Sequence, residues 1–378
     1  MIQKPKPTGR YAVGTFTYTV YNDRDEILFP GTKRSIPARV YYPVLKGSVE
    51  GKTKAQYMSR SVVEGLRKFM KAPLNYDKLE SSGDNFSECF TDAPVIGGEK
   101  FPLILFSHGL CSYREANSFL CIELSSQGYV VISVGHPYDA NCSELDDGSV
   151  IFLMKDIVKK QYDPLPEAAF KVIKLTRSKG TDRELADQFE ELQQKYCRQA
   201  IVRIEEWKKD SLAALRYAKE NLKDLIDFDK GVGAAGHSFG GATAFALCLD
   251  EDEIVCGANI DGALFGNNKG KTLDKPFLQM SCKNNMKAET RPYIDHRKPV
   301  YQAVFEKMKH VGFSDMKHLM PSPMKGTMGS LDPDLMHETL SRLHLEFFDA
   351  YLKKTKDCPA LESSEAVTVT VHQPDIKD

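Results

Sequence analysis

GVGAAGHSFGGATAFALCLD, residues 231–250, decides the fold. A run of small residues enters the five-residue unit Gly236-His237-Ser238-Phe239-Gly240, and an apolar run, ATAFALCL, leaves it. The pattern encodes a strand that turns straight into a helix. The flanking glycines have a steric reason, because side chains in so tight a turn would collide with the neighbouring helix and strand. Such a turn presents the Ser238 hydroxyl at the carboxyl end of the strand, beside the helix N-terminus. GxSxG also arises by chance, and a glycine-rich turn with an idle serine is the alternative; the strand-turn-helix context favours a nucleophile.

The same alternation continues on both sides. Upstream, PLILFSHG (102–109) is a short apolar run ending in a turn, as expected for a strand buried on both faces. A helical pattern over 117–126 ends near Gly128, and YVVISV (129–134) follows as a second buried strand. Strand, helix, strand implies a parallel sheet. TFTYTVY (15–21) and IPARVYYP (36–43) read as antiparallel edge strands, and 61–73 as a helical or irregular stretch.

Between residues 141 and 200 the chain is charged and helix-friendly (ELADQFEELQQKY) without a strong strand signal, which predicts a helical insertion, either a cap or a solvated decoration. Ile201, Ile204, Leu212, Leu215 and Ala218 then space a long helix over 198–222. IVCGANI (254–260) and PFLQMS (276–281) continue the strands. Residues 300–308 fit helix and strand periods equally; the fold needs a last strand there, so a strand is expected. Residues 338–352 read as a terminal helix, before a tail that is polar apart from VTVTV. The expectation is one α/β domain over 1–378, a mostly parallel central sheet flanked by helices, with the 141–200 insertion within it.

Composition narrows the function. The chain has 51 Lys and Arg against 52 Asp and Glu, so no net field draws it to nucleic acid or to an anionic membrane. No apolar run is longer than a strand, so neither a signal peptide nor a transmembrane span is expected, although peripheral lipid contact stays open. Ile2 excludes N-myristoylation. Nine cysteines, without CxxC or a Cys/His cluster, suit a reducing cytoplasm and give no metal or cofactor site; a secreted form is open if a leader has been removed.

A serine needs a base, and in this arrangement the chain order is Ser, acid, His. His310 follows the expected last strand and enters the loop HVGFSDMKH, where a base belongs; His318 is its competitor. His337 and His344, one heptad apart, read as surface or packing residues. Asp261 closes the strand after the Ser238 helix, and the next strand has no carboxylate at its tip. A turn aspartate before Gly262 is the ordinary alternative for Asp261. The backbone amides of Leu110, after the first glycine-rich turn, and Phe239 are the candidate oxyanion donors. His108 reads as a buried histidine that shapes its turn.

FSHGL, GHSFGGAT, NID after the next strand, and His310 followed by xxFxD together resemble the plasma and intracellular type II platelet-activating factor acetylhydrolases, of α/β-hydrolase fold. The likeness runs from VYYP to FSD. It implies Ser238 as nucleophile, Asp261 as acid, His310 as base, and Leu110 and Phe239 as oxyanion amides, acting on short or truncated acyl esters of phospholipids. GHPYD (135–139), where an acidic EHRD-like run is expected, and the 141–200 insertion depart from the family pattern, leaving the pocket rim open. The missing leader and residue-2 glycine point to a cytosolic bacterial-type relative. Two other readings compete: a general carboxylesterase or lipase-like enzyme with the insertion as lid, and a catalytically idle hydrolase fold used for binding.

Overall fold

The computed structural model describes residues 4–154, 170–171, 174–175, 178–320 and 326–375. Thirteen strands are formed by the described residues: β1 (Ala12–Asp25), β2 (Lys33–Val44), β3 (Lys54–Gln56), β4 (Phe86–Thr91), β5 (Leu103–Ser107), β6 (Val130–Val134), β7 (Cys142–Glu144), β8 (Val150–Phe152), β9 (Val232–His237), β10 (Ile254–Ile260), β11 (Phe277–Cys282), β12 (Val300–Phe305) and β13 (Val367–His372). The main helices are α1 (Arg60–Met70), α2 (Ser118–Ser126), α3 (Asp182–Tyr196), α4 (Arg198–Asn221), α5 (Phe239–Asp250) and α6 (Pro333–Phe348).

One sheet of 11 strands runs in the order β13-β12-β11-β10-β9-β5-β6-β2-β1-β4-β3. The six strands from β6 to β12 are parallel, as the alternating pattern requires, and β1, β2 and β13 join antiparallel. β6 lies between β5 and β2: after building β3 and β4 beyond β1, the chain enters β5 one position away from β2 and returns through α2 to fill the gap with β6.

The central strands are short and wholly buried because both faces are covered. Along β5, Leu103 and Leu105 join a cluster with α4 and α5 (Ala214, Leu215, Phe245), whereas Ile104 and Phe106 join one with α2 and α6 (Leu120, Leu124, Leu343, Phe347). This is the two-residue period of a strand sorting side chains to opposite faces.

Three expectations need correction. β1 and β2 do not form the edge: β4 pairs beyond β1 and β3 beyond β4, so β2 is interior and buried from Ile36 onwards. The strand at 300–305 is not the last, because VTVTV in the tail adds β13 antiparallel to it. The 141–200 segment opens on a small hairpin, β7 with β8, before α3 begins; the three-residue strands are too short to leave a period-2 signal. Residues 155–169, 172–173 and 176–177 of that segment lie outside the described residues. Among the described residues no helix is long and apolar enough to cross a membrane.

Candidate active site

Ser238 ends β9 and caps α5 with φ 58° and ψ −122°, a backbone region that an L residue occupies only when its surroundings force it. The forcing contacts are visible at the glycines. A Cβ on Gly236 would sit 2.3 Å from the Gly240 carbonyl group, and one on Gly240 would sit 2.1 Å from the Ser107 oxygen. A Cβ on Gly262 would meet the Ser238 carbonyl oxygen at 2.0 Å, so the β10 turn is pressed against the β9 turn.

That second turn carries Asp261 at φ 57°, pinned by the Asn259 side chain, which accepts from the Gly262 amide at 2.9 Å. Asp261 is therefore a turn aspartate in conformation, and its carboxylate also reaches a partner. His310 Nδ1 lies 2.7 Å from Asp261 Oδ2, and His310 Nε2 lies 2.8 Å from Ser238 Oγ. A carboxylate at Nδ1 fixes the tautomer, with the proton on Nδ1 and the lone pair on Nε2 facing the serine. Asp261 is fully buried while the His310 side chain is 40% exposed, so the line of three groups opens to solvent at the imidazole.

Sequence reading missed two further supports. The Cys282 amide donates to Asp261 Oδ1 at 2.5 Å, and Asn285 Nδ2 donates to Asp261 Oδ2 at 2.7 Å. Neither residue type advertises such a role; only the position after the β11 tip hints at it. Glu289 lies behind, accepting from Gln279 at 2.9 Å and from the Ser281 hydroxyl. Burial, reinforced by the Asp261 charge, pushes its carboxyl well above the ordinary range and favours the neutral form.

The loop bearing His310 is tied down by its own FSD. The Asp315 carboxyl group meets the Tyr57 and Ser118 hydroxyls at 2.9 Å each and accepts from the Phe119 amide at the start of α2. Asn117 donates to the Phe313 carbonyl at 2.8 Å. His237 supports the same loop from below, its Nε2 donating to the His310 carbonyl at 3.1 Å; burial pushes its pKa down to about 3, so it stays neutral. His318 is placed elsewhere, beside Asp334 and against the Phe119 ring. His344 is a buried packing residue on α6, its Nδ1 donating to the Leu340 carbonyl.

Leu110 follows β5 on a loop that touches the serine, since a Cβ on Gly109 would lie 3.1 Å from Ser238 Cβ. Phe239 starts α5, so its amide is one of the helix's unsatisfied first-turn donors. His108 shapes its turn as the sequence suggested: Nδ1 donates to the Gly109 carbonyl at 2.7 Å, and burial holds its pKa down near about 3. Half-buried Leu110 and Phe265 pack with Phe239, Trp207, Leu192 and Tyr196, which brings α3 against this end of the sheet. The Phe189 ring of α3 meets Phe265 at 5.2 Å, and Gln193 accepts from the Gly266 amide at 2.9 Å. Among the described residues no cluster of three or more His, Cys, Asp or Glu is arranged to hold a metal ion.

Comparison with known proteins agrees with this architecture. The family model described as platelet-activating factor acetylhydrolase, isoform II, matches residues 1–366. The platelet-activating factor acetylhydrolase of Canis lupus familiaris is 29% identical over 272 residues, 68% of this chain and 54% of that protein. Its counterpart from Cavia porcellus is 24% identical over 373 residues, covering 93% of this chain and 79% of the other. The aligned part thus spans about half the length of the dog protein. The solved structure of a ferulic acid esterase from Streptomyces cinnamoneus shares the fold, with a TM-score of 0.68 at 19% identity over 96% of this chain and 97% of that one. With an α/β-hydrolase fold and a family match along nearly its whole length, the chain belongs to the platelet-activating factor acetylhydrolase isoform II family.

Proposed function

We propose that this protein hydrolyses carboxylic esters with short or truncated acyl groups through an acyl-enzyme, its substrates being 2-acetyl or oxidised glycerophospholipids. The observation that carries the reading is the continuous Ser238–His310–Asp261 line at 2.8 and 2.7 Å on a forced backbone turn. Family membership supplies the substrate class.

In this reading Ser238 Oγ attacks the ester carbonyl carbon while His310 Nε2 takes the hydroxyl proton. Asp261 holds the imidazole by its Nδ1 proton and stabilises the cation that forms. Asn285 and Cys282 keep the Asp261 carboxylate aimed. The carbonyl oxygen becomes an oxyanion and accepts from the Leu110 and Phe239 amides, preset donors that need no reorganisation. Collapse expels the alcohol, which takes the proton back from Nε2; water then repeats the cycle on the acyl group. Helix α3 serves as a cap over the site, its side chains Phe189, Leu192 and Tyr196 walling one side of the acyl site through Phe265 and Phe239.

The test is Ser238→Ala, assayed with p-nitrophenyl acetate, with a fluorophosphonate probe and with a 2-acetyl phosphatidylcholine. Loss of turnover and of labelling is expected. Retention of both in the variant ends the nucleophile assignment. Wild-type preference for long-chain esters over acetyl and butyryl ones ends the short-acyl reading and favours a general carboxylesterase.

A further inference from the structure

The GHPYD run, the departure noted in the sequence, lies against the oxyanion loop and is held by a cluster of buried charges. His136 is fully buried and makes contacts in three directions: Nδ1 to Asp210 Oδ2 at 2.9 Å, Nε2 to the Ser107 hydroxyl at 3.1 Å, and its backbone amide to His108 Nε2 at 3.3 Å. With the Asp210 carboxylate at Nδ1, that nitrogen carries the proton, and Nε2 accepts from Ser107. Burial lowers the His136 pKa against the pull of Asp210.

Asp210, on α4, is clamped by Arg34 through two bonds of 2.8 and 2.7 Å and also meets Arg24. Three residues after His136, Asp139 accepts from Trp207 Nε1 at 2.7 Å and from Arg203 Nε at 2.9 Å, while its carbonyl accepts from the Cys111 amide at 2.7 Å. The Trp207 ring stacks on His136 at 3.8 Å and 8°, and meets His108 and Phe239 edge-on at 5.1 and 4.9 Å.

Leu110 therefore sits between anchored neighbours: Ser107 and His108 on one side through His136, Cys111 on the other through Asp139. Trp207 links this loop to Phe239, the residue that bears the second candidate amide. Buried pairs of this kind contribute little net stability compared with apolar packing, whereas they fix geometry where every bond is satisfied.

We propose that His136, seated on Asp210 and Trp207, is a positioning residue that orients the Leu110 amide toward the reaction oxyanion. The inference rests on the ester-hydrolase reading above. Misplacing an amide donor by a fraction of a bond length weakens it only when charge is on the oxygen, so kcat falls and KM does not.

The variants are His136→Phe, which keeps the stack and removes both ring bonds, and the milder Ser107→Ala. Each is compared with wild type on p-nitrophenyl acetate and on its thiono analogue, whose larger sulfur fits an oxyanion site poorly. Wild type should favour the oxygen ester strongly. In H136F the acetate kcat should drop about 10- to 100-fold, with the oxygen-to-sulfur rate ratio falling in parallel; S107A should show the same trend, smaller. A loss of folded protein lowers both rates alike and leaves the ratio intact. An unchanged ratio in both variants overturns the positioning role; if H136F does not fold, the S107A ratio alone decides. Wild-type protein that hydrolyses neither ester overturns the hydrolase reading itself, and this inference with it.

Discussion

Replacing Asp315 by asparagine should stabilise the protein progressively as pH rises. The Asp315 carboxyl is 4% exposed, and burial pushes its pKa up to about 8 although Tyr57, Ser118 and Phe119 all donate to it. In the unfolded chain an aspartate titrates near ~3.9. A folded pKa above the unfolded one means that the contribution of this group is complete below about pH 4 and is lost as pH climbs through about 8. The slope is about 1.4 kcal/mol per pH unit, so roughly 4 kcal/mol has gone by pH 7. Asparagine has the shape of the protonated acid: its oxygen can accept from the Phe119 amide and its NH2 can donate to the two hydroxyls, with no charge to bury. Urea unfolding followed by the fluorescence of Trp207, the single, fully buried tryptophan, reads the difference between D315N and wild type at pH 5, 6, 7 and 8. The gap should widen in favour of D315N across that range. A gap that stays flat refutes the reasoning, because it means that the three donors outweigh burial and keep the carboxyl ionised when folded.

Two other substitutions separate the site's parts. His310→Ala should lower the acetate rate by about 10³-fold or more, while His318→Ala, which alters a residue beside Asp334, should stay within about threefold, a contrast that steady-state kinetics on the two purified variants checks. Gly240→Ala would drive a Cβ to 2.1 Å from the Ser107 oxygen and 2.5 Å from the His108 oxygen, both backbone atoms that cannot swing away. It should cost about 1–3 kcal/mol in a thermal melt and a larger share of activity, because the atoms displaced belong to the loop that carries the candidate oxyanion amide of Leu110.

What was legible in the sequence depended on how local its cause is. Ser238 and Asp261 stand at strand ends, and their turns are written in adjacent glycines: Gly236, Gly240 and Gly262 each face backbone that a Cβ would strike. β5 and β6 announced themselves as unbroken apolar runs because both faces are covered. The two strands at the β3 end of the sheet did not. β3 and β4 are 3 and 6 residues long and partly exposed, so neither alternation nor an apolar run marks them. α4 was found from Ile201, Ile204 and Leu215, but Arg203, Glu206, Trp207 and Asp210, spaced along one face by the same helical period, carry its buried ionic side. Polarity at helical spacing ordinarily marks solvent, and only the partners Arg34, Glu26 and Asp139, brought from 64 to 177 residues away, reverse that reading.

The same division runs through the candidate site. Its strand-borne members need no anchor beyond the sheet register: the Ser238 amide donates to Ile260 at 2.8 Å and the Asp261 amide to Met280 at 2.7 Å, so neighbouring parallel strands hold the two turns together. Its loop-borne members, His310 and the Leu110 amide, have no such register. Each is held instead by a buried carboxyl group that reaches across to a helix. Asp315 grips the N-terminus of α2, where first-turn donors are free to receive it. Asp139 grips Trp207 and Arg203 in the middle of α4, where no backbone donor is free and side chains must supply the bonds. A carboxyl group at a helix start can be replaced by a neutral amide of the same shape, whereas one paired with a buried guanidinium cannot without stranding that charge. The loop carrying His310 should therefore tolerate substitution of its anchor better than the loop carrying Leu110.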